Sequence, residues 1–146
     1  PEAIKSLEDA FLPALQGKSD FEKVDLLLGF CQTATGYKTD QEQFNREKPM
    51  FAEETLYYDF TDCEDRSVLF SWLVRMFTEL EVVGLDYPGH IATTVAFKEN
   101  LNGDAVTWKG KRFVICDPTY IGAGIGECMP EFRNSQPEII EINKMR

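Results

Sequence analysis

Three residues have the types and the order for nucleophilic chemistry. Cys63 stands at the head of an apolar run, His90 at the head of a run rich in Val, Thr and Ile, and Asp117 at the end of a third apolar run. A thiol attacks only as its thiolate, and an adjacent imidazole is the group that takes up and returns the proton. A carboxylate behind the imidazole holds one tautomer and steadies the positive charge that forms. Such a set performs acyl transfer, with the acyl group passing through a thioester on sulfur. His90 is the only histidine among the 146 residues, so any Cys–His chemistry has one possible base.

Each of the three needs an element to hold it. Asp62 to Leu80 reads as a helix in which Val68, Leu69, Phe70, Trp72, Leu73, Val74, Met76, Phe77 and Leu80 leave a narrow polar stripe through Ser67, Ser71, Arg75 and Thr78. A helix so apolar all round is expected to lie buried, between a sheet and the N-terminal helices. Thr61 with Glu64, or Asp62 with Asp65, can cap it, and either pair puts Cys63 in its first turn. Unpaired N–H groups and the helix dipole there favour a thiolate, whereas the acids Asp62, Glu64 and Asp65 oppose it. Activation of Cys63 is therefore expected to come from His90 rather than from the helix alone.

His90 follows the turn Tyr87-Pro88-Gly89, with Val82 and Val83 leading in and a strand from Ile91 to Phe97 leading out. Asp117 ends the strand Arg112 to Cys116, and Ala105 to Trp108 forms another strand before the turn-like Lys109-Gly110. Two turn signals compete between His90 and Asp117. If Asn102-Gly103-Asp104 closes the hairpin, the two residues face each other on antiparallel strands. If Lys109-Gly110 closes a separate hairpin, the middle segment can intervene. Adjacency is the expectation, with the middle segment as an excursion of one hairpin.

Upstream, Ile4, Leu7, Phe11 and Leu15 give an amphipathic helix from Glu2 to about Gln16. Ser19 and Glu22 form a capping box for a second helix that buries Phe21, Val24, Leu27, Leu28 and Cys31, with Gly36 as its C-cap. Tyr37 to Met50 reads as a loop, Ala52 to Tyr57 as a short helix, and Ile139 to Ile142 as a last edge strand. Helices first and antiparallel strands later predict one α+β domain over residues 1–146, helical to about residue 80 and sheet from about 81. Pro1 is not an initiator Met, so the chain is expected to be part of a longer or processed protein, with an extracytoplasmic setting such as cell envelope or periplasm as one option.

The net charge of −10 argues against nucleic acid or an anionic membrane surface as the main partner. No apolar run has the length of a membrane span. The four cysteines, Cys31, Cys63, Cys116 and Cys128, contain no Cys-x-x-Cys pair, so a zinc site is a weak reading; a Cys116–Cys128 bridge is open. Cys31 is most simply a core thiol. Gly122, Gly124 and Gly126 lack the strand, helix and Lys-Ser/Thr of a phosphate loop and read as a flexible rim. Neither metal nor cofactor is expected. Taken singly, Cys63 can be a packed thiol, His90 an incidental strand-edge residue and Asp117 a turn former before Pro118.

Together the motifs Asp62-Cys63-Glu64-Asp65-Arg66-Ser67, Pro88-Gly89-His90 and Cys116-Asp117-Pro118-Thr119 resemble the core of the transglutaminase-like superfamily, in a domain of bacterial type. Upstream, Glu53-Glu54-Thr55-Leu56 resembles the family's lead into its nucleophile helix. The resemblance covers about Glu53 to Tyr120. It implies a papain-like α+β fold in which Cys63 is the nucleophile, His90 the general base and acid, and Asp117 the orienting acid. Thr61 stands where members often have Gly, and small Ala92 and Thr93 follow His90 where many carry an aromatic. The implied activity is thiol-dependent acyl transfer on peptide or protein amides, hydrolysis more than cross-linking. The alternative is a non-catalytic binding or scaffolding module of a larger cell-envelope protein. For the oxyanion, the backbone N–H of Cys63 is one expected donor, and Gln41, Gln43, Tyr57 and Tyr58 are candidates for a second. Calcium dependence has no support in the residues, and the oligomeric state is open.

Overall fold

The computed structural model describes residues 2–34, 36–37 and 60–142. Helix α1 spans Glu2–Leu15 and α2 spans Asp20–Thr33. Leu7, Phe11 and Leu15 of α1 are buried, as their spacing requires. Ser19 accepts from the N–H of Glu22 while the Glu22 carboxylate accepts from the N–H of Ser19, the reciprocal cap expected. The end of α2 differs from expectation. Its C-cap is Ala34, which stays right-handed, so no glycine is needed there, and Gly36 instead opens strand β1, Gly36–Tyr37. Tyr37 is thus strand rather than loop. Phe21 is 39 % exposed rather than core, and its ring lies 6.3 Å from that of Phe97. The rest of the expected loop to Met50 and the expected helix Ala52 to Tyr57 lie outside the described residues.

Strand β1 pairs in parallel with β2, Phe60–Thr61, which sets the end of α2 beside the start of α3, Cys63–Phe77. Leu69, Phe70, Leu73 and Val74 of α3 are at most 3 % exposed. One side of the helix packs on α2 and another on the sheet strands β3, Glu81–Tyr87, and β4, His90–Ala96. The polar stripe does not mark a wet face along its whole length. Ser67 and Ser71 are buried, and the Ser67 hydroxyl donates to the carbonyl of Ile91 at 3.4 Å, while Arg75 is exposed. Small side chains let the helix lie close to the sheet, and one hydroxyl finds a strand carbonyl there.

The five-stranded antiparallel sheet runs β5-β6-β4-β3-β7, where β5 is Ala105–Trp108, β6 Lys111–Cys116 and β7 Glu138–Ile140. Both competing turns are used. Lys109 and Gly110 have φ of 48° and 76° and close the β5–β6 hairpin, the left-handed pair that a two-residue turn demands. Because β5 lies on the outer side of β6, β4 pairs with β6 directly, with Thr93 opposite Cys116. Adjacency holds, and the middle segment goes to the edge. Strand alternation divides the core in two. Val82, Val95 and Cys116 face the cluster built on the helices, and Leu85, Ala92, Ile115 and Cys128 belong to a second cluster with Tyr87. Cys116 and Cys128 therefore sit in different clusters, and all four cysteines are free, which removes the Cys116–Cys128 bridge. The glycine stretch is not a loose rim throughout. Gly126 is buried, donates to the carbonyl of Ile115 at 2.6 Å, and lies so near Gly103 that a Cβ on Gly103 would stand 2.8 Å from its Cα.

Candidate active site

Cys63 is the first residue of α3, and Asp62 is its N-cap. Asp62 Oδ1 accepts the Asp65 N–H at 2.9 Å and Asp65 Oδ2 accepts the Asp62 N–H at 3.2 Å. Of the two caps the sequence allows, the helix uses Asp62 with Asp65. Two acids that crowd the thiol in sequence are thereby directed at backbone N–H groups. The Ser67–Ile91 bond, one turn further on, holds this end of α3 against the start of β4, where His90 stands. Cys63 keeps partial exposure.

The β4–β6 register carries the ends of those strands past each other, and His90 and Asp117 meet there. His90 Nε2 donates to Asp117 Oδ2 at 2.7 Å, with His90 8 % and Asp117 2 % exposed. The Cys63 sulfur lies near enough to the ring to favour its protonated form. With Nε2 committed to Asp117, Nδ1 is the ring nitrogen left for sulfur. Burial acts on His90 to lower its pKa; the hydrogen bonds to Asp117 and Cys63, and their charges, outweigh it and raise the ring from 6.5 to about 9. The sequence-predicted residues Cys63, His90 and Asp117 are thus brought together, in the order thiol, imidazole, carboxylate.

Aromatic rings pack against the imidazole as well. Phe132, in the short 3-10 helix Pro130–Phe132, lies 5.1 Å from the His90 ring at 7° between planes, and Tyr87 lies 6.4 Å away at 24°. Aromatic surface beside His90 therefore comes from these two, while Ala92 is buried in the second cluster. Asp104 fastens the segment that carries Phe132, accepting the Cys128 N–H at 3.0 Å and pairing with Arg133 Nε at 3.5 Å. Behind Asp117, Thr93 Oγ1 donates to the carbonyl of Cys116 at 2.5 Å.

Sequence reasoning passes over Phe132, Gln32 and Arg66. Phe132 carries no local signal, since it reaches His90 only through tertiary folding. Gln32 and Arg66 do have one. Gln32 continues the apolar spacing Val24–Leu28, and Arg66 the spacing Phe70–Val74, so each polar side chain is due to be buried. The structure buries both, Gln32 at 6 % and Arg66 at 2 % exposure. The oxyanion candidates Gln41, Gln43, Tyr57 and Tyr58, and the Glu53-Glu54-Thr55-Leu56 stretch, lie outside the described residues. Among the described residues no group of three or more His, Cys, Asp and Glu is gathered to hold a metal, and no helix is long and apolar enough to cross a membrane. No family model matches the chain, and no curated protein matches it.

Proposed function

We propose that the chain is a cysteine acyl-transfer enzyme of the papain-like, transglutaminase-like type, acting on peptide amides. The observation that carries this reading is the His90 ring bonded to Asp117 at 2.7 Å, with the partly exposed Cys63 sulfur near enough to favour the protonated ring. Sulfur attacks the amide carbonyl as thiolate while the proton resides on His90. The oxyanion of the tetrahedral intermediate is met by the backbone N–H of Cys63, which points outward from the helix start. The imidazolium gives its proton to the leaving amine, the C–N bond breaks, and the acyl group remains on sulfur. His90 then takes a proton from water as its oxygen attacks the thioester, releasing the acid and returning the thiol. Partial exposure of Cys63 supports hydrolysis over cross-linking, because water reaches a thioester placed there.

Alkylation tests the reading cheaply, because the other three thiols are poor competitors. Burial pushes Cys31, Cys116 and Cys128 up in pKa. Iodoacetamide at pH 7 is expected to label Cys63 first, and His90→Ala to slow that labelling at least about tenfold. Incubation with peptide libraries, with and without an amine acceptor, then separates hydrolysis from cross-linking, and Cys63→Ala is expected to remove either activity. Slow labelling that is equal in wild type and His90→Ala would instead mark a non-catalytic scaffold.

A further inference from the structure

The Asp117 carboxylate is presented by a loop, and a loop aims a side chain only where something holds it. Within the loop, Asp117 Oδ1 accepts the N–H groups of Thr119 at 2.9 Å and Tyr120 at 3.3 Å, which leaves Oδ2 for His90. The tie to the rest of the molecule is the side chain of Gln32, in the last turn of α2. Its Nε2 donates to the carbonyls of Asp117 at 3.1 Å, Tyr120 at 3.0 Å and Ala123 at 3.0 Å. Its Oε1 accepts the Gly122 N–H at 3.2 Å. Three carbonyls at one end and an N–H at the other dictate which way the amide faces. The backbone carbonyl of Gln32 also accepts from Arg66 Nη1 at 3.4 Å, and the same nitrogen reaches the Pro118 carbonyl at 3.5 Å. Arg66 is on α3, three residues beyond Cys63, so the contacts tie α2, the nucleophile's helix and the Asp117 loop together.

We infer that Gln32 is a positioning residue, holding the loop from Asp117 to Ala123 so that Asp117 Oδ2 faces His90 Nε2. Gln32 touches none of the three proposed reacting groups through its own side chain except at the Asp117 main chain, so it acts through the carboxylate. Without its amide, the Ala123 carbonyl and the Gly122 N–H lose this partner, the carbonyls of Asp117 and Tyr120 keep only the turn bonds from the N–H groups of Tyr120 and Ala123, and the loop relaxes. The consequence for activity rests on the acyl-transfer reading; the placement of Asp117 does not.

The test is the NMR titration of His90 in wild type, Gln32→Met, Gln32→Glu and, as a destabilised control from the same helix, Leu28→Ala. The wild-type midpoint is expected at about 9. Gln32→Met, which keeps the length and removes donors and acceptor, is expected to lower it by about one pH unit or more, since the opposite charge is no longer held against the ring. Gln32→Glu keeps the acceptor for Gly122 and loses the donors, and is expected to shift the midpoint the same way. Leu28→Ala is expected to leave it unchanged. Iodoacetamide labelling of Cys63 at pH 7 should fall about tenfold in the two Gln32 variants and hold in the control. In wild type, the Gln32 side-chain N–H protons should be protected from solvent exchange, a reading that needs no variant. Unchanged His90 titration in both Gln32 variants, or rapid exchange of those protons, overturns the inference. A wild-type protein inert towards iodoacetamide and peptides, whose His90 midpoint still falls on Gln32→Met, removes the enzyme and keeps the positioning role. An active protein whose Gln32→Met variant titrates and reacts like wild type does the opposite.

Discussion

Burial alone would make the His90 ring a weaker base than a free imidazole; its partners reverse that. The sign of the net shift has a consequence for stability. A ring that holds its proton to about pH 9 when folded, against 6.5 in the unfolded chain, contributes stability that is fully present below about pH 6.5 and is lost as pH rises through 9. The contribution is on the order of 3 kcal/mol. Urea denaturation across pH 6 to 10 should show wild type losing that much more stability than His90→Gln, in which nothing titrates at residue 90. The comparison cancels the buried thiols, which destabilise both proteins alike at high pH. Asp117→Asn should pull the His90 titration down from about 9, because the neutral amide no longer favours the imidazolium. A His90 midpoint that stays put in Asp117→Asn would detach the carboxylate from any role in holding the charge.

At the scale of elements, two ends do the positioning. The start of α3 is fixed by the reciprocal Asp62–Asp65 cap, and the start of β4 by the register that places Tyr87 opposite His90 and Thr93 opposite Cys116. Asp62→Ala removes the acceptor for the Asp65 N–H and should cost about 1 kcal/mol in urea denaturation, whereas Asp62→Asn, which retains an oxygen, should stay within a few tenths. Equal stability of the two variants would mean that the cap does not hold this helix end. The strand side is held by chirality of the turn as much as by hydrogen bonds. Lys109-Gly110 sends β5 outward because both residues adopt the left-handed conformation that matches strand twist. A turn of the other hand would splay those strands and disturb the β4–β6 contact on which His90 and Asp117 depend.

Across the whole molecule, α3 is the member common to both sides of the helical core, packed on α2 and on the sheet. Phe70, fully buried at its centre, should cost about 3–5 kcal/mol when replaced by Ala, through lost transfer energy and the cavity left behind. Leu12→Ala, at a position 55 % exposed, should change stability by less than about 0.5 kcal/mol. Thermal or urea unfolding of the two variants measures the contrast directly. The second cluster, around Leu85, Tyr87, Ile115 and Cys128 with Phe132 against it, is smaller and stands next to His90. It gives the ring a packed wall that the helices do not supply.

Local patterning is enough to place most of the elements. Helical spacing, the Ser19–Glu22 and acidic caps, and the alternation of Val, Thr and Ile are nearest-neighbour effects. They make α1, α2, α3 and the strands of the five-stranded sheet legible in the residues, though not β1 and β2, along with the ordered set Cys63, His90 and Asp117. Failures fall where a residue's fate depends on something distant. Phe21 shows the apolar spacing yet stays partly in solvent, and Gly36, a helix C-cap by residue type, is claimed by a parallel strand pair. Sequence determined which residue types stood in the order that thiol chemistry needs, and left two strand orders open between His90 and Asp117. Only the tertiary structure decided that β5 would pass to the outside, that Phe132 would cover the imidazole, and that Gln32 would hold the Asp117 loop. Those contacts join residues up to 91 positions apart, beyond the reach of any local preference.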